Sequence, residues 1–119
     1  MKSIAVLGLG KVGHLAAELL HEADFLVYGY DLRRPANDPK FPVNILDTSS
    51  EAELGKAFAN VDAVLSCLPY HLNKGVANAA HKAGIHYFDL TEDVPTTNHI
   101  RDLSKTSKGL MAPQCGLAP

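Results

Sequence analysis

A chain of 119 residues, 46% hydrophobic and 20% charged, has the length and make-up of one globular domain able to bury its own core. Its net charge of −2 comes from scattered residues, with Arg33-Arg34 the sole adjacent basic pair, which excludes the basic footprint of a nucleic-acid or anionic-membrane binder. No apolar run nears the ~18 residues of a bilayer span, so no membrane partner is expected. Met1-Lys2-Ser3 passes at once into a strand-like run, leaving no room for a secretory signal, and the cytoplasm is the expected location.

Ile4-Ala5-Val6-Leu7 is continuously apolar, the mark of a strand covered on both faces. A glycine turn follows. Val12, Leu15, Ala16, Leu19, Leu20 and Ala23 then repeat at helical spacing, predicting a helix from Lys11 to about Ala23 with that stripe as its apolar face. Residues 25–30 form the next strand, closing at Asp31, and the whole has the length of a strand–helix–strand unit. A loop from Arg33 to Pro42, punctuated by Pro35, Pro39 and Pro42, leads to a short strand at 43–46.

Ser49 or Ser50 can cap a helix from Glu51 to Phe58, with Glu53 at capping-box spacing from Ser50. A fourth strand spans 62–66 and stops at Pro69. Leu72, Val76, Ala79, Ala80 and Ala83 predict a helix that Gly84 ends. Residues 86–90 read as a fifth strand, the polar stretch 91–98 as a loop, 99–108 as a weaker helix and 109–112 as a sixth strand. Strands alternating with helices predict an α/β fold: a doubly wound, Rossmann-type parallel sheet in three layers, ordered 3-2-1-4-5-6. Its ligand crevice would open at the carboxyl ends of strands 1 and 4.

The turn Gly8-Leu9-Gly10-Lys11-Val12-Gly13 is G-x-G-x-x-G, a weak signal alone and a strong one between a strand and a helix. Gly8 permits the tight turn, Gly10 lets backbone approach a pyrophosphate, and Gly13 lets the helix lie close on the sheet. Helix-start N–H groups at Lys11 and Val12 would face the phosphate oxygens. Asp31 lies 18 residues beyond Gly13, where an acid can accept from the adenosine ribose hydroxyls. A carboxylate there repels a 2′-phosphate, so NAD is expected over NADP. Leu32 and Arg33 follow it, and Arg33 or Arg34 could instead clamp that phosphate.

The six histidines and two cysteines show no metal-ligand spacing, and no metal is expected. In the predicted strand order, Cys67 and Cys115 stand about two strand spacings apart, roughly 9–10 Å, beyond disulfide reach. Tyr70 and Lys74 match the Y-x-x-x-K of short-chain reductases, but follow strand 4 rather than strand 5. Ser66-Cys67-Leu68-Pro69-Tyr70 ends strand 4 across the crevice from the glycine turn. Thr91-Glu92 opens on the same side, where the plain reading of Glu92 is a loop or helix-start carboxylate.

G-L-G-K-V-G at 8–13, S-C-L-P at 66–69, A-G-I-H-Y-F-D-L-T-E at 83–92 and C-G-L-A-P at 115–119 together resemble the N-terminal domain of the saccharopine dehydrogenase-like family, which includes lysine dehydrogenases. The resemblance implies that Gly8, Gly10 and Gly13 line the pyrophosphate and Asp31 the ribose. It sets Asp47 near the adenine, Leu68 and Pro69 along the inner face of the dinucleotide, and Glu92, the one candidate catalytic residue, toward the nicotinamide. It also implies hydride transfer at a C–N bond of an amino-acid substrate. A family member runs on past C-G-L-A-P into a substrate domain, so this chain is expected to be a cofactor domain that turns over little alone. The alternative is a free-standing nucleotide sensor of a regulatory kind. A homo-oligomer could form through the sheet edge near residues 109–112.

Overall fold

Apolar strands that must be hidden on both faces, joined by helices long enough to cross over them, leave few ways to fold. The computed structural model describes residues 2–35, 39–90 and 93–113. The elements run β1 (Ser3–Leu7), α1 (Lys11–Glu22), β2 (Leu26–Asp31), β3 (Val43–Ile45), α2 (Glu51–Phe58), β4 (Ala63–Ser66), α3 (Tyr70–Ala83), β5 (His86–Asp89), α4 (Val94–Ser104) and β6 (Met111–Ala112). The six strands form one sheet in the order β3-β2-β1-β4-β5-β6, every pair parallel. This is the doubly wound Rossmann-type order expected from the alternation.

Register aligns the strand ends. Leu7 stands opposite Tyr30 on one side and Ser66 on the other, and Ser66 stands opposite Asp89. The turns after β1, β2, β4 and β5 therefore emerge along one edge, with the reversal of strand order between β1 and β4.

The two faces are covered unequally. On one, Ala5, Leu7, Val64, Tyr87 and Met111 pack with Leu54, Phe58, Val76, Ala77, Ala80 and Ile100 from α2, α3 and α4. On the other, Val6 and Val27 pack with Leu9, Ala17 and Phe41, and α1 is the one helix of the described residues in that cluster. Beside α1, over β4 and β5, this second face carries a groove of about 430 Å³ floored by Ile4, Leu65 and Phe88.

Local chemistry sets most boundaries. Ser50 Oγ accepts from the Glu53 N–H at 3.3 Å and starts α2, while Gly84, at φ 72°, ends α3 in the left-handed region. Three expectations need correction. The polar stretch 91–98 is not all loop: α4 begins at Val94, because Asp93 accepts from the Thr96 N–H at 3.0 Å as an N-cap and Pro95 sits in the first turn, where its missing N–H costs nothing. The apolar stripe expected to bury α1 is also not its packing face. Gly13 and Ala17 are the buried residues, with Ala16 and Leu20 half-buried, whereas Val12, Leu15 and Leu19 are 60%, 57% and 57% exposed. Small residues win because the helix start lies almost on the β1 turn. The last strand is shorter than expected, Met111–Ala112 only.

Candidate functional site

The turn after β1 is shaped by its glycines and held by the end of β2. Gly8 takes φ +85°, a left-handed conformation, and its N–H donates to the Tyr30 carbonyl at 2.9 Å. A Cβ on Gly8 would stand 3.0 Å from the Cys67 carbonyl oxygen, and one on Gly13 would stand 1.7 Å from the Gly8 carbonyl oxygen. No side chain fits at Gly13 with the turn in this shape. Around Gly10, in contrast, a Cβ would meet nothing within 4 Å. That open space lies at the start of α1, where no side chain caps the helix and no acid occupies the first turn. Lys11 and Val12 are exposed beside it. A concave backbone turn, open space and uncapped N–H groups together fit a phosphate group.

Asp31 closes β2 and turns toward the glycine turn. Its Oδ2 accepts from the Leu9 N–H at 2.7 Å and its Oδ1 from the Leu32 N–H at 2.7 Å. Leu32 and Arg33 are exposed just beyond it, and the Arg34 guanidinium reaches the Val43 carbonyl at 3.5 Å. The Leu46 N–H donates to the Asp31 carbonyl at 2.9 Å, which brings the end of β3 and the exposed Asp47 alongside. Asp47 Oδ1 accepts from the Ser49 hydroxyl at 2.6 Å and its N–H at 3.0 Å, and these bonds hold its carboxyl below the usual range.

Opposite the glycine turn, the β4 end supplies Cys67, Leu68 and Pro69. The Cys67 N–H donates to the Leu7 carbonyl at 2.8 Å, and the Leu68 side chain lies against Gly8. Pro69 is exposed at the start of α3. Burial pushes the Cys67 thiol up to about 11, so it is a packing group at neutral pH rather than a nucleophile. Tyr70 and Lys74 are exposed on α3. Glu92 and Cys115 lie outside the described residues, and the comparison of Cys67 with Cys115 lies there too. Among the described residues no cluster of His, Cys, Asp or Glu could hold a metal ion, and no helix is long and apolar enough to cross a membrane.

The structure thus brings Gly8, Gly10, Gly13, Asp31, Leu68 and Pro69 to the neighbouring carboxyl ends of β1, β2 and β4, with Lys11, Val12, Leu32, Arg33 and Asp47 next to them in the chain or at the end of β3. Sequence reading missed two supports. Leu9 is 7% exposed, seated over Gly29 where a Cβ would come within 2.9 Å of both Leu9 and Phe41. A glycine inside an apolar strand was the available signal of such a close approach. The Ser66 hydroxyl donates to Asn73 Oδ1 at 2.6 Å beneath the β4 turn; nothing in local sequence marks that pair.

The sequence model of the saccharopine dehydrogenase NADP binding domain matches residues 4–112. No curated protein matches the chain. Among solved structures, saccharopine dehydrogenase (L-Glu forming) from Saccharomyces cerevisiae aligns over 98% of this chain at TM-score 0.85 and 21% identity. A partial-consensus L-threonine 3-dehydrogenase aligns over 93% at TM-score 0.79 and 13% identity. A short-chain dehydrogenase/reductase superfamily protein from Agrobacterium tumefaciens, solved with bound NAD, aligns over 93% at TM-score 0.74 and 18% identity. At these identities the structural likeness carries the fold alone. The chain spans 28%, 52% and 48% of the lengths of those three proteins.

Proposed function

Because the chain belongs to the family of saccharopine dehydrogenase NADP binding domains, we propose that it seats the dinucleotide of a dehydrogenase acting at a C–N bond of an amino-acid substrate. The carrying observation is the open space at Gly10, where the glycine turn meets the uncapped start of α1. There the diphosphate would accept from backbone N–H groups of Gly10, Lys11 and Val12, with the helix dipole favouring its charge. Asp31 would accept from the adenosine ribose, Leu32, Arg33 and Asp47 would flank the adenosine, and Leu68 and Pro69 would lie along the inner side.

Glu92, three residues past the end of β5 in the sequence, would by the family resemblance approach the nicotinamide. When bound, the nicotinamide supplies a hydride acceptor or donor; these residues hold and orient it and keep water from one side. The family's description favours NADP, against the preference for NAD expected from Asp31; Arg33, exposed two residues beyond Asp31, would be the partner for a 2′-phosphate. In this proposal the groups that choose the substrate come from polypeptide outside these 119 residues, and the domain by itself turns over little. Following absorbance at the reduced-nicotinamide band with NADP or NAD plus lysine or saccharopine tests this division of labour. No turnover is expected; a robust rate from the 119 residues would refute it.

A further inference from the structure

Resting on the dinucleotide reading, we propose that Asp31 is a positioning residue: it latches the glycine turn in its phosphate-binding shape and so governs affinity whether or not the ribose carries a 2′-phosphate.

Three contacts tie the turn to β2. The Gly8 N–H donates to the Tyr30 carbonyl at 2.9 Å, and the Leu9 side chain sits in the niche over Gly29. The Leu9 N–H donates to Asp31 Oδ2 at 2.7 Å. The third is the shorter of the two hydrogen bonds and is made to a carboxylate, which makes it the strongest class of tie. It acts on the residue between Gly8 and Gly10, the segment whose N–H directions define the cradle.

Asp31 Oδ1 meanwhile accepts from the Leu32 N–H at 2.7 Å, which fixes the carboxylate plane from the other side. Both oxygens are thereby held by backbone donors, and the two N–H dipoles offset part of the negative charge that a 2′-phosphate would meet. The acid at the end of β2 is thus built into the turn before any ligand arrives. A residue that only faced the ribose would need neither bond.

The test compares Asp31→Ala and Asp31→Asn with the unsubstituted chain, by calorimetry with NAD and NADP and by amide hydrogen exchange of Leu9 in the free protein. Loss of the latch in Asp31→Ala is expected to weaken both dinucleotides, by about tenfold for NADP and at least as much for NAD, which also loses its ribose contact. It is also expected to unprotect the Leu9 amide. Asp31→Asn keeps one carbonyl oxygen for the Leu9 N–H and is expected to restore the protection and most of the affinity for both. Weaker NAD with tighter NADP in Asp31→Ala, or a Leu9 amide exchanging equally in all three proteins, would overturn the proposal. If the unsubstituted chain binds neither dinucleotide, the functional reading and the affinity half of this proposal both fall; the Leu9 amide still reports the latch separately, because it is read without ligand.

Discussion

Gly10 and Gly13 sit three residues apart in one turn, yet an added methyl group should act on them in opposite ways. At Gly13 it would collide with the Gly8 carbonyl, a backbone atom that cannot swing aside. Gly13→Ala is therefore expected to cost about 3 kcal/mol of stability in urea unfolding. At Gly10 the methyl group meets no protein atom within 4 Å, and φ is −70°, which alanine adopts freely. Gly10→Ala is expected to melt like the parent while occupying the space assigned to the diphosphate. Cys67 provides a second check at this scale. With its thiol raised to about 11, it should hold on the order of a hundredfold less thiolate at pH 7 than a free cysteine. Alkylation by iodoacetamide, scored at Cys67 by peptide mapping, should be correspondingly slow and accelerate with pH beyond 9. Rapid labelling at neutral pH would contradict a half-buried thiol with a raised pKa.

Caps and turns decide where the elements start, and two of them, with one tie between the starts of β1 and β4, rest on carboxylates. Hydrogen bonds from Ser49 to Asp47, from Ser3 to Asp62 and from Thr96 to Asp93 hold all three below the usual value of 3.8. A depressed folded pKa contributes stability that is complete above the ordinary carboxylate value and lost as pH falls through the depressed one. Thermal melts should thus be insensitive to these groups at about pH 5 and above and fall progressively below pH 4, with Asp93→Asn shallower in that window. A melt unchanged down to about pH 2.5 would contradict the caps. Ser50→Ala should lower stability by about 1 kcal/mol through loss of the α2 cap. These elements also show what could be read beforehand. The α2 helix was legible because Ser50 and Glu53 advertise its start at fixed spacing, and the end of α3 because Gly84 fits a left-handed cap. The start of α4 was hidden by Val94-Pro95-Thr96-Thr97, a string of poor helix formers overridden by the Asp93 cap and by burial of Thr96, Thr97 and Ile100.

Across the described residues the uneven cover of the sheet sets where a truncation costs most. Leu54, on the packed side of α2, is fully buried, so Leu54→Ala should cost about 2–5 kcal/mol, whereas Leu65→Ala at the open groove should cost about 1 kcal/mol. The order of the strands followed from alternation of apolar runs and helices, and with it the meeting of Gly8, Asp31 and Leu68. The exposed stripe on α1 did not follow, because periodicity counts apolar residues without knowing how closely a backbone can approach. Nor did the double engagement of Asp31, since spacing names an acid without showing what its oxygens touch. The central claim is that the open space at Gly10 seats a dinucleotide, and calorimetry of the parent and Gly10→Ala against NADP and NAD addresses it most directly. The parent is expected to bind at micromolar concentration, NADP at least as well as NAD, and Gly10→Ala about tenfold or more weaker at unchanged melting temperature. Binding of neither dinucleotide by the parent, or equal binding by Gly10→Ala, would contradict it.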